Sequence, residues 1–385
     1  MKRYIYADNA ATTKLDSEAF EAMIPWLTDC YGNPSVPYSF SRSSRKAISD
    51  ARETIAKCIN AKSDEIFFTS GGTESDNWAL KGITQYETEN VDSSVRSTVI
   101  TSLIEHHAIL NSCKSLERLG YPIAYLPVTN EGLIEPITLS TIISGSTKLV
   151  SIMLANNEIG TIQPIKQLAE IAHENGAYFH TDAVQAVGRI SIDVKELNID
   201  LLSASAHKFH GPKGIGFLYI RNGTNILPYA DGGAQEKGFR AGTENVASIV
   251  GMAVALNNGC AEIQAETARL NMLSEKFIEE INQAGTDFII NGNQCKRLPG
   301  SINISLRQQN AEMLLHRLDL KGIFISTGAA CDSKETKVSH VLEAINVPSD
   351  YAEGTIRITF GKDNTTDDAI SIAKAIVSII GDRNH

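Results

Sequence analysis

Cysteine is scarce and unpatterned in this chain: six residues in 385, at positions 30, 58, 113, 260, 295 and 331, with no Cys-x-x-Cys and no paired spacing. That argues against a disulfide framework and a structural zinc site, and leaves one or two thiols to matter chemically. No apolar run reaches membrane length. The longest notable charge-free stretch, 245–261, is interrupted by Asn257, Asn258 and Gly259 and falls short of the roughly 20 apolar residues that a span needs, so it reads as a buried helix. A basic run is also missing. Lys plus Arg total 35 against 45 Asp plus Glu, a formal charge of -10, which argues against a general phosphate-backbone binder and therefore against direct nucleic-acid binding. The first residues meet Asp8 before any apolar stretch of signal length, so no secretory signal is expected and the cytoplasm is the expected location. Repeats and low-complexity linkers are absent as well.

What is present is a composition able to bury a large core: 42% hydrophobic, 21% charged, 28 Gly and 11 Pro. Between about residues 45 and 220, helical patterns alternate with short apolar runs at 66–69, 97–101, 149–153, 178–180, 201–203 and 216–220. Such alternation predicts an α/β fold with a mainly parallel sheet covered by helices on both faces. After about 260 a long helical pattern, 261–283, leads into a smaller α+β unit, with strands expected at 301–306, 322–325 and 355–360 and helices at 311–320 and 367–380. In sheets of this kind ligands sit beyond the carboxyl ends of the strands, so the residues just past each run are the places to seek chemistry.

Three such places stand out. Phe67-Phe68-Thr69-Ser70-Gly71-Gly72-Thr73-Glu74 is a strand, a glycine pair and a helix start, which suits a phosphate cradle; an ordinary turn capped by Thr73 reads equally well locally. Asp182 follows another strand, as either a helix cap or the carboxylate that keeps a pyridine nitrogen protonated. Lys208, among small residues and histidines at a third strand end, suits a lysine that must lose its proton to bond a carbonyl, or is a surface lysine on a glycine-rich turn. His207 and His210 lack a third ligand at metal spacing, and no metal is expected. A phosphate cradle, an acid and a lysine in this order together point to pyridoxal 5'-phosphate.

With the further segments 6–13, 32–35, Glu105-His106, 156–160, 182–188 and 211–214, the chain resembles the cysteine desulfurases of the class V branch of fold-type-I pyridoxal-phosphate enzymes. The likeness is to the group serving nitrogen fixation and iron–sulfur cluster assembly, and it runs nearly end to end. It implies a large cofactor-binding domain at 15–260 and a small domain formed by 1–14 and 261–385. It assigns Lys208 as the cofactor-bonding lysine, Asp182 as partner of the ring nitrogen, Gln185 and Asn157 beside the phenolic oxygen, and His106 stacked on the ring. Side-chain chemistry alone does not choose between His106 and His107. Gly72, Thr73, Ser205 and His207 would hold the phosphate, with Thr243 reaching it from the other subunit of a homodimer. Cys331, in a loop of small and polar residues, would accept sulfur from L-cysteine as a persulfide and pass it to an acceptor protein. Arg357 would clamp the substrate carboxylate, although on its own it reads as a solvated strand residue, and Asn33 is a further substrate contact. Two alternatives stay open: another class V reaction such as a transaminase or β-lyase, and a catalytically poor sulfur-relay subunit.

Overall fold

The computed structural model describes residues 4–86, 96–327 and 338–381. Seven strands form the main sheet: β2 (Ile66–Thr69), β3 (Thr98–Ser102), β4 (Ile123–Leu126), β5 (Thr147–Ser151), β6 (Tyr178–Asp182), β7 (Leu201–Ser205) and β8 (Gly216–Ile220). Their order is β2-β8-β7-β6-β5-β3-β4. The block β7-β6-β5-β3-β4 is parallel, and β8 alone runs against its neighbours β7 and β2.

Alternation along each strand assigns the two faces. Ile66, Phe68, Val150, Phe179, Leu202 and Phe217 point into one core with helices Arg42–Cys58, Ile165–Glu174 and the first half of Val246–Gln283. Phe67, Val99, Leu149, Leu201 and Leu218 point the other way, onto Trp78, Leu80 and Ile83 of helix Gly72–Thr84 and Ile109 and Leu116 of helix His107–Arg118. A sheet covered on both sides needs near-continuous apolar strands, and β2, β7 and β8 are buried throughout. The edge strand β4 escapes a sequence reading because it has four residues, lies between Pro122 and Pro127, and is only partly buried.

A second, four-stranded antiparallel sheet has the order β12-β13-β10-β9, from β9 (Phe288–Ile290), β10 (Ser301–Leu306), β12 (Ser326–Thr327) and β13 (Thr355–Thr359). Its core joins Ile302, Ile304, Ile356 and Ile358 to Leu270 and Phe277 and to Ile372 and Ile376 of helix Thr366–Gly381. The N-terminal strand β1 (Ile5–Tyr6) crosses to this unit and pairs with β11 (Ile323–Phe324). The strand expected at 322–325 is thus shortened to β11, and a separate strand, β12, follows it with a different partner.

The helix expected to begin at 261 is continuous with the buried one before it. Val246–Gln283 is one 38-residue helix, about 57 Å long at the usual rise, whose Met252 and Leu256 enter the first core and Leu270 and Phe277 the second. It is long and apolar enough by composition to cross a membrane, but half of its most apolar window is buried inside the protein. That burial is the mark of a core helix.

One close approach ties fold to site. Gly216 of β8 lies directly under the turn at Gly71, so that a Cβ there would strike the Ala204 carbonyl oxygen and lie 2.7 Å from the Gly71 Cα. Because backbone on both sides must shift, Gly216→Ala should destabilise the fold by about 1–3 kcal/mol. It should appear as a lower thermal unfolding midpoint; an unchanged midpoint would contradict this packing.

Candidate active site

The carboxyl ends of β2, β6 and β7 and the start of helix His107–Arg118 converge on a cavity of about 230 Å³. β2 ends in a turn where Gly71 adopts φ 148°, conformational space that favours glycine. The helix then starts at Gly72, whose amide and that of Thr73 belong to the first turn, where no intrahelical acceptor exists. Ser205 closes β7 opposite this turn: a Cβ on Gly71 would lie 3.3 Å from its Oγ.

Lys208 ends a short 3-10 turn after β7. Its Nζ donates to the carbonyl oxygens of Ala10 at 2.5 Å and Ala11 at 2.8 Å. Gln185 Nε2 donates to the same Ala10 oxygen at 3.0 Å, and Thr13 donates through Oγ1 to the His207 carbonyl at 2.9 Å. The N-terminal segment therefore fixes the lysine turn.

Asp182 is the last residue of β6; its Oδ1 accepts from the Val184 amide at 2.9 Å. Burial pushes its carboxyl above the usual range, partly opposed by His106, that amide and Lys208. His106 caps helix His107–Arg118 by accepting the Ala108 amide on Nδ1 at 3.2 Å. That bond leaves the proton of the neutral ring on Nε2. Burial lowers the His106 pKa, with Asp182 pulling the other way. His207 accepts or donates at Nδ1 to Thr12 Oγ1, 3.1 Å away; burial first and then Lys208 and Lys213 bring it down to about 4.

Gly72, Thr73, His106, Asn157, Asp182, Gln185, Ser205, His207 and Lys208, all named from the sequence, line this one cavity. Three named residues do not. Asn33 uses its Oδ1 to accept the Ser35 amide at 2.9 Å. Thr243 is exposed and lies off the cavity wall of its own chain. Arg357 lies behind the wall: it donates to the Asn157 carbonyl at 3.1 Å and pairs with Asp8 at 2.7 Å. The expectation of a solvated Arg357 is overturned, since the residue is 4% exposed. The face of β13 opposite Ile356 and Ile358 is covered by the segments around Asp8 and Asn157. The Arg357 Nε has no hydrogen-bond partner among the described residues. Cys331 lies outside the described residues.

Two residues given no role from the sequence have one here: Asp76 lines the cavity and His180 lies behind it, its Nε2 3.8 Å from the Asp76 Oδ1. Asp76, one helical turn past Gly72, is buried, and its Oδ1 has no hydrogen-bond partner among the described residues. One ligand atom from each of Asp76, His106 and Asp182 lies within 4.8 Å of the others. Burial and then the Asp182 charge push the Asp76 carboxyl well up. His180, two residues before Asp182 and so on the same face of β6, lies between Ser151 Oγ at 2.8 Å and Ser203 Oγ at 2.9 Å. The clue to Asp76 was a polar pair, Ser75-Asp76, entering the apolar run Trp78-Ala79-Leu80; the clue to His180 was strand alternation.

Burial holds His180 down to about 3, against about 6.5 for an unfolded chain. Between those values the unfolded chain binds the extra proton, so stability is full above pH 6.5 and is lost as pH falls towards 3, at roughly 1.4 kcal/mol per pH unit for one site. His180→Gln should show a shallower loss of unfolding midpoint between pH 6.5 and 5 than the parent. Parallel slopes would contradict a neutral buried His180.

Comparison with known proteins places this geometry. A family model described as aminotransferase class V matches residues 5–371. A cysteine desulfurase IscS from Dictyoglomus turgidum is 52% identical over 368 residues, covering 96% of this chain and 92% of the relative. A cysteine desulfurase IscS from Methanosarcina thermophila is 47% identical over 376 residues, covering 98% and 92%. Among solved structures, a NifS-like protein superimposes with a TM-score of 0.91 at 36% identity, covering 98% of this chain and all of that one. SspA in complex with cysteine gives 0.81 at 34% identity, covering 92% and 98%.

Proposed function

The chain belongs to the class V aminotransferase family, among its cysteine desulfurases, and from that premise we propose that it converts L-cysteine and the Cys331 thiol to L-alanine and a Cys331 persulfide. The single observation that carries the site assignment is the convergence of Lys208, Asp182 and the Gly71-Gly72 turn on one cavity. The family depends on pyridoxal 5'-phosphate, and the residues present fit it. A buried carboxylate at Asp182 calls for a cationic ring nitrogen, an opened helix start opposite Ser205 suits a phosphate, and Lys208 lines the same cavity. When bound, this group supplies an electron sink for charge developing at the Cα of an attached amino acid.

In this reading Gly72, Thr73, Ser205 and His207 hold the phosphate, with Thr243 of a second subunit completing it. His207, held neutral near pH 7, donates a hydrogen bond without adding a charge. Asp182 holds the ring nitrogen, Gln185 and Asn157 lie at the phenolic oxygen, and His106 stacks on the ring. Lys208 Nζ, released from Ala10 and Ala11, takes the proton from the substrate Cα and returns one later. Arg357 faces the substrate carboxylate from behind Asn157, and Asn33 is a weaker substrate contact. The Cys331 thiolate attacks the substrate sulfur: an S–S bond forms, the Cβ–S bond breaks, and its electron pair stays with the carbon skeleton, which takes up protons to become alanine. His106, held neutral by burial and with its proton on Nε2, serves as the acid–base group near that sulfur.

The same proposal includes a homodimer, a cytoplasmic location, and an acceptor protein for the persulfide, with iron–sulfur cluster assembly as its destination. It divides the chain into 15–260 and the pair 1–14 with 261–385; the separate cores and the β1–β11 pairing support this division.

With L-cysteine and a thiol reductant, the purified protein should release alanine and sulfide in equal amounts; pyruvate in place of alanine would overturn the reading in favour of a β-lyase. Cys331→Ala should keep the visible absorbance of the bound cofactor and lose turnover, whereas Lys208→Ala should lose the covalent attachment. Full alanine production by Cys331→Ala would remove Cys331 from the mechanism. Sedimentation should return twice the 41.8 kDa chain mass, and a monomer with full activity would exclude the role given to Thr243.

A further inference from the structure

The helices on one face of the main sheet bring together two cysteines that the desulfurase chemistry does not use. Cys58 is the last residue of helix Arg42–Cys58, and Cys260 lies within helix Val246–Gln283. Both side chains pack against the first core and remain partly exposed, whereas Cys113 is fully buried. The Cys260 thiol donates to the Cys58 carbonyl oxygen at 4.0 Å, although the two residues are 202 positions apart in the chain. The two thiols act on each other's titration, Cys260 raising that of Cys58 and Cys58 lowering that of Cys260.

We propose that Cys58 and Cys260 form a reversible redox site, closed to an intramolecular disulfide by a low-molecular-weight disulfide of the oxidised-glutathione class. The Cys260 thiolate attacks the small disulfide, forming a mixed disulfide and expelling one small thiolate. Cys58 then gives up its proton and attacks the Cys260 sulfur, expelling the second. The two protein thiols are oxidised, the small disulfide is reduced, and the two expelled thiolates take up the two protons that the protein thiols lose, leaving two small thiols.

Two features set this order. The neighbouring Cys58 lowers the Cys260 pKa, while Cys260 and burial raise that of Cys58, so Cys260 is the attacking thiol and Cys58 the resolving one. Cys58 also sits where its helix ends and the chain departs from helical geometry at Ile59. Helix ends fray, so the backbone there can adjust to the narrow geometry of a disulfide. Closing the bond would tie Arg42–Cys58 to the long helix where that helix leaves the first core.

The test treats the full-length cofactor-loaded protein with oxidised and reduced glutathione at increasing ratios, alkylates remaining thiols, and maps non-reduced peptides by mass spectrometry. The expected result is a Cys58–Cys260 linked peptide that accumulates with the ratio, disappears with dithiothreitol, and removes the two thiols together. Cys58→Ser should trap Cys260 as a glutathione mixed disulfide, and Cys260→Ser should leave Cys58 alkylatable. The proposal fails if both thiols stay alkylatable at ratios where exposed Cys295 already carries glutathione. It fails equally if each carries its own glutathione, or if either is linked to a different cysteine.

Discussion

The burial of the Asp182 carboxylate at the carboxyl end of β6 is the constraint on which the site depends. A carboxylate out of water is costly unless it is paired, and Asp182 has as near neighbours a second buried acid, Asp76, and the weakly basic His106. Lys208 adds a favourable charge, but its Nζ is engaged by the Ala10 and Ala11 carbonyls. The protein thus builds a negative pocket that a cation inside the cavity would complete. A protonated pyridine nitrogen is such a cation, and its binding would return Asp182 to the ionised state that burial opposes. His180, kept neutral between Ser151 and Ser203, supports the strand below without adding a positive charge that would compete for the same carboxylate.

The rest of the architecture brings distant segments to this pocket. The N-terminal residues reach it by way of the second unit: β1 pairs with β11, the Ala7 amide donates to Phe324, and the next residues run on to hold Lys208 and His207. Arg357, from the second sheet, is held by Asp8 on one side and by Asn157 of the cavity wall on the other. The positions of the lysine turn and of the proposed carboxylate clamp are therefore linked through residues 5–13. The long helix Val246–Gln283, shared by both cores, fixes how the two units meet.

Much of this was legible in the chain itself because strands buried on both faces are short and apolar. β2, β8 and β10 begin and end where their composition says, and the residues at or just beyond strand ends include Gly72, Asp182 and Lys208. What was hidden has physical causes. Asn257, Asn258 and Gly259 suggest a break, but packing on both sides carries one helix through them. The polarity of Arg357 suggests solvent, but two loops from elsewhere in the chain cover it, which is tertiary information. Asp76 was read as part of a helix start because its importance comes from Asp182, more than a hundred residues away and adjacent only in the fold. Resemblance, and not local chemistry, supplied Cys331 and Thr243: the first lies outside the described residues, and the second is assigned to a partner's site.

The most direct test of the central claim is the protonation state of the ring nitrogen, read by ¹⁵N NMR from protein reconstituted with pyridoxal phosphate labelled at that atom. If the buried Asp182 pocket is built for a cation, the resonance is that of a protonated nitrogen across neutral pH, and Asp182→Asn shifts it to the neutral form. A neutral ring nitrogen in the parent protein would contradict the account.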